Sequence, residues 1–136
     1  MIKKGGAYFE KNYSKFSSIN YIKFFFFNPA NASAAYDDAR MGKYDSTVTT
    51  SRITLTESDD LYIHVGNFSS KTVSAYIFKN GILYSSITGI GWTNVHKKLD
   101  VSAGEYSLRL YCGTRSNPTT GCVSYGEIAD YYTDNH

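Results

Sequence analysis

Apolar and polar positions alternate with a period of two through most of the chain beyond residue 47. The pattern is clearest from Tyr106 to Cys112, where Tyr106, Leu108, Leu110 and Cys112 fall on one side of an extended chain and Ser107, Arg109 and Tyr111 on the other. Ser102-Ala-Gly104 introduces this strand as a turn, and a loop of Gly, Ser, Asn, Pro and Thr leads on to Cys122. The same period predicts strands over Val48 to Thr56, over Leu61, Ile63 and Val65 with Tyr62 and His64 between them, over Trp92 to Val101, and over Cys122 to Tyr132. Between Val73–Lys79 and Ile82–Thr88, Asn80-Gly81 predicts a two-residue type I′ hairpin, because both residues tolerate the positive φ that such a turn needs. A regular ladder then pairs Lys79 with Ile82 and Ile77 with Tyr84. One face carries Val73, Ala75, Ile77, Ile82 and Tyr84, and the other Tyr76, Phe78, Leu83 and Ile87. Neither face is polar, so the pattern leaves open which one meets the core.

The first third is less regular. Residues 1–18 read as a leader or an edge strand. Ile19 to Phe27 reads as a strand buried on both faces, since Phe24 to Phe27 cannot alternate, and Asn28-Pro29 stops it. Ala32 to Met41 reads as a short helix, capped by Ser33, with Asp37-Asp38 near its first turn and Gly42 after its end. About eight strands at regular turn spacing predict a single all-β domain over residues 19–136, an antiparallel two-sheet sandwich of jelly-roll or Greek-key type.

Composition agrees with strands: 13 Tyr and 8 Phe stand against two Met and two Pro. A net charge of +2, with basic residues scattered, excludes a nucleic-acid footprint. The most apolar run, Tyr21 to Phe27, is too short to span a bilayer, and Gly5-Gly6 stands where a secretory leader would be apolar. The only two cysteines form no CxxC, which points to a Cys112–Cys122 disulfide stapling a hairpin across its mouth, and hence to an extracellular or cell-surface location.

Three stretches carry a likeness to a known family. Thr54 to Val65, Val73 to Gly81 and Ser102 to Tyr111, the last with its small-residue–Gly–x–Tyr–x–Leu–Arg–x–Tyr strand, resemble the strands of bacterial pre-peptidase C-terminal domains and kindred secreted jelly-roll modules. The resemblance implies an extracellular accessory module, sometimes calcium-bound, concerned with binding or secretion. It implies no catalytic residues.

The chemistry-bearing residues point the same way. His64, His96 and His136 stand in no nucleophile motif, and His64 and His96 read as sheet-surface histidines. Of the carboxylates, Asp37, Asp38, Glu57, Asp59, Asp60 and Glu105 read as turn or loop residues, with Glu127 the exception. Glu57, Asp59 and Asp60 are candidate calcium ligands by their hard oxygens but lack EF-hand spacing, so a solvated turn is the favoured reading. The functional feature is aromatic: Trp92 beside Gly89-Ile-Gly91, with Tyr62, Tyr111, Tyr125 and either Tyr76 or Tyr84 at outward positions. Rings with a polar tip suit interfaces and flat sugar faces. The sequence therefore predicts a non-enzymatic binding module for carbohydrate or another surface polymer, with no cofactor unless calcium. The alternative is a structural subunit, a homo-oligomer joined by strand addition through Phe24–Phe27 or the leader. A small hydrolase ranks third.

Overall fold

In the computed structural model, which describes residues 34–133, all regular structure is β. The leader at 1–18, the Phe24–Phe27 strand and the boundary at residue 19 lie outside the described residues. The strands are β1 (Tyr36–Met41), β2 (Thr47–Thr49), β3 (Ile53–Leu55), β4 (Asp59–Asn67), β5 (Val73–Lys79), β6 (Ile82–Ile90), β7 (Asn94–Val101), β8 (Gly104–Cys112) and β9 (Ser124–Ala129). One sheet has the order β1-β9-β4-β7 and the other β2-β8-β5-β6, with β3 also on β8, and every pairing is antiparallel.

β2 and β3 are halves of one interrupted edge strand along β8. Thr50 spans the break: its N–H donates to the Leu108 carbonyl at 2.9 Å, and its Oγ1 accepts from the Leu108 N–H at 3.0 Å, standing in for a ladder carbonyl. Counted so, eight strands switch sheets at every connection except the β5–β6 hairpin, which is a jelly roll. The core lies between the sheets. Leu61, Ile63, Val65 and Ile128 come from one, and Val73, Ala75, Ile77, Tyr106, Leu108 and Leu110 from the other, all with 1% exposure or less.

Three expectations are corrected. The helix over Ala32 to Met41 is instead strand β1 from Tyr36 onward, paired with β9 at all six of its residues. A weak cap signal loses to a full ladder that also buries Met41. In the β5–β6 hairpin, Asn80 and Gly81 do take positive φ, at 53° and 83°, and Lys79 does face Ile82. A bulge between Ile77 and Phe78, however, sets Ile77 opposite Ser85 rather than Tyr84, and brings Ile87 opposite Ala75 and against the core. The Cys112–Cys122 disulfide is present, with Cα atoms 5.5 Å apart, but it does not close a hairpin. β8 and β9 belong to different sheets, so the bond ties together the ends of the loop that crosses between them.

Candidate binding surfaces

Outward positions of the second sheet form a ring-and-guanidinium face. Along β8 they read Glu105, Ser107, Arg109, Tyr111. β5 contributes Ser74, Tyr76 and Phe78, with Tyr76 opposite Arg109 on one side and Ser86 on the other. Thr47 and Thr49 on β2 stand across from Tyr111 and Arg109. Tyr76 and Tyr111 meet edge to face at 5.6 Å and are half-buried, leaving ring surface open. Phe78 is buried on this outer side because the Arg109 guanidinium lies 4.7 Å and that of Arg115 5.5 Å from its ring centroid. Arg115 also lies 5.4 Å from the Tyr76 centroid. Arg109 is fixed by donating from Nε to Thr49 Oγ1 at 3.1 Å and from Nη1 to Tyr111 OH at 3.4 Å.

Outward positions of the first sheet hold a buried polar network instead. His64 on β4 and Glu127 on β9 face each other across the ladder, with Nδ1 3.0 Å from Oε1 and both side chains 2% exposed. Thr133 Oγ1 donates to the same Glu127 oxygen at 3.0 Å, and Tyr36 OH to the other at 3.1 Å. The Tyr125 hydroxyl lies 3.2 Å from His64 Nε2 and 3.3 Å from Asn94 Oδ1. It can lie there only because residue 66 is glycine: a Cβ at Gly66 would run into the Tyr125 ring and the Asn94 amide. His96 stacks on His64 at 4.0 Å, and beside them is a cleft of about 190 Å³ lined by Tyr62, His64, His96, Lys98, Tyr132 and Thr133.

The two tyrosines of this network titrate high. Burial, then hydrogen bonds to Asp38 and Glu127, hold the Tyr36 phenol far above its ordinary range. Burial and the Glu127 carboxylate push Tyr125 up, with Arg40 opposing. Above pH about 10 the unfolded chain gives up phenolic protons that these two keep in the native state, so their contribution is complete below that pH and is lost as pH rises beyond it. Denaturant midpoints should therefore fall from about pH 10 upward, and less steeply in Tyr36→Phe and Tyr125→Phe. Identical slopes in wild type and both variants would refute the linkage.

The residues singled out from sequence thus go to different places. Tyr111 lies on the second sheet's face, and Trp92, 79% exposed, lies in the loop between β6 and β7. Tyr62 is on the opposite sheet, edge-on to Tyr132 at 6.0 Å. Tyr125 points outward from its sheet but is only 3% exposed, covered on its ring by Phe68 at 5.5 Å, and His64 is buried rather than on the surface. Glu57 is exposed in a turn and Asp59 and Asp60 begin β4, where the Asp59 carboxylate accepts the Asp60 N–H. Among the described residues no three His, Cys, Asp or Glu side chains gather to hold a metal. Sequence reasoning missed Phe78, Arg109 and Arg115 as a surface and Glu127 as a network centre. Only the parity of Arg109 with Tyr111 pointed to the first.

No family model matches the chain, that of the pre-peptidase C-terminal domains included, and no curated protein matches it. Solved structures do. A family 35 carbohydrate binding module from an environmental isolate is 14% identical over 65% of this chain and 72% of its own, with a TM-score of 0.39. The CBM36-1 domain of a multidomain xylanase from the hindgut metagenome of Trinervitermes trinervoides is 9% identical over 74% and 100%, at 0.43. A Paenibacillus sp. cycloisomaltooligosaccharide glucanotransferase complexed with cycloisomaltoheptaose is 15% identical over 72% of this chain and 17% of its own, at 0.39. The jelly-roll assignment rests on the strand order itself.

Proposed function

We propose that residues 34–133 form a non-catalytic module that holds a carbohydrate against Tyr76 and Tyr111 on the outer face of the second sheet. The observation that carries this reading is the row of rings on that face. An outward sheet surface in water ordinarily carries polar side chains, yet β5 and β8 turn Tyr76, Phe78 and Tyr111 outward. A sugar offers an apolar C–H face to a ring and hydroxyls around its rim. The rim here would meet Thr47, Thr49, Ser86 and the tyrosine hydroxyls. Trp92, whose indole is 79% exposed in the loop that leaves β6, is a second contact for an extended chain. The disulfide supports an oxidising, extracellular setting. The assembly alternative rests on Phe24–Phe27 or the leader at 1–18, both outside the described residues.

Affinity electrophoresis of the full chain in a panel of neutral and acidic polysaccharides tests the proposal. Tyr76→Ala and Tyr111→Ala should each weaken retention about tenfold or more, as truncated aromatic anchors do. Trp92→Ala should also weaken it, with stability changed by no more than about 0.5 kcal/mol because so exposed a ring loses little packing. If no polysaccharide retards the wild-type protein, the reading fails.

A further inference from the structure

The same face carries charge as well as rings, and around Phe78 that charge is one-signed. Arg109 and Arg115 both bring their guanidinium groups within 5.5 Å of the single Phe78 ring. Neither forms an ion pair with the described residues, whereas Arg52, at the far end of the sheet, is paired with Glu105 at 3.0 Å. Glu105 is the only acid at an outward position of the second sheet's described strands, and that ion pair already engages it. Two like charges thus share one aromatic ring with no carboxylate of the described residues between them.

We infer, building on the carbohydrate reading, that the ligand is an acidic polysaccharide whose uronate carboxylates are held by Arg109 and Arg115 while its ring faces lie on Tyr76 and Tyr111. Three features support this. A guanidinium is a planar fork of donors that matches a carboxylate edge to edge, and stacking on a ring leaves that fork's edge free. Arg109 spends Nε and Nη1 on Thr49 and Tyr111, which aims the group, and keeps its other amino group for a ligand. Arg115 is exposed and makes no hydrogen bond to a described residue, and it is held over the sheet from a loop that is itself pinned. There Thr119 N–H donates to the Cys112 carbonyl at 2.8 Å and Gly113 bridges Pro118. A carboxylate bound by both guanidiniums would relieve their mutual repulsion, which no acid among the described residues offsets.

The full chain should bind polygalacturonate or alginate at least about tenfold more tightly than methyl-esterified pectin or a neutral glucan, and the preference should shrink as salt is raised. Arg109→Gln and Arg115→Gln should each bring the ratio of acidic-polymer to neutral-polymer affinity close to one, whatever each does to the absolute affinity. Lys98→Gln, on the opposite sheet, should leave it intact. Equal binding of neutral and acidic polymers would overturn this inference and leave the carbohydrate reading standing. Binding of neither would overturn both. A preference for sulfated dextran over polygalacturonate would overturn the carboxylate assignment. An undiminished acid preference in the folded double variant Arg109→Gln/Arg115→Gln would overturn the assignment to this face.

Discussion

Glu127→Ala is expected to be among the most destabilising single changes in the domain, costing about 2–5 kcal/mol, because buried side chains lose their hydrogen-bond partner. Its carboxylate is the acceptor on which Thr133, Tyr36 and His64 converge, from the C-terminal segment, β1 and β4. Without it His64 and Thr133, both buried, lose that partner in a place water enters poorly, at about 1–3 kcal/mol each, while the more exposed Tyr36 hydroxyl keeps Asp38 at 2.9 Å. Glu127→Gln keeps one carbonyl oxygen but turns an amide N–H₂ toward a second donor, so it should fall between wild type and alanine. Chemical denaturation of the three proteins measures the series. A Glu127→Ala protein within about 0.5 kcal/mol of wild type would show that the network contributes nothing net.

The jelly roll was legible in the sequence where a strand buries one face, because there the two-residue period is enforced at every step. Tyr106 to Cys112 obeys it, with Tyr106, Leu108, Leu110 and Cys112 all at 0% exposure. The period failed where burial comes from something other than the sandwich core. Tyr125, Glu127 and His64 hold outward parity, but Phe68 and the C-terminal segment at Tyr132 and Thr133 close over their side of the sheet. Alternation along one strand carries no word of a cover drawn from another part of the chain. The bulge in β5 was hidden for a related reason: Ile77 and Phe78 are both apolar, so slipping the register between them changes no polar signal. β1 carries a local helix signal because its ladder partner, β9, lies about 90 residues downstream, beyond the reach of local propensity. The arginine face needed three facts at once: the β5–β8 register, the path of the disulfide loop, and the sheet to which β8 belongs.

That loop leads to the second large effect. Replacing both Cys112 and Cys122 with alanine should cost about 3 kcal/mol and lower the melting temperature by roughly 10 °C or more, since the bond restricts the unfolded chain and closes a short loop. Both cysteines are fully buried, so alanine leaves a modest space rather than a stranded polar group, and the loss reports the covalent tie more than the packing. Denatured, unreduced wild type should show no titratable thiol. The bond also has a local consequence that global melting does not report. It joins the ends of the segment bearing Arg115, whose backbone is otherwise held by the Thr119 to Cys112 hydrogen bond, the Gly113–Pro118 bridge and the donation of Gly121 N–H to the Lys43 carbonyl. With the tie gone, Arg115 has more conformations to lose on meeting a carboxylate, and affinity for polygalacturonate should drop even well below the new melting temperature while affinity for a neutral polymer changes less. A double variant that melts with the wild type would refute the stabilising role. One that melts lower yet binds polygalacturonate as the wild type does would separate the disulfide from the arginine face and leave the bond with a purely structural task.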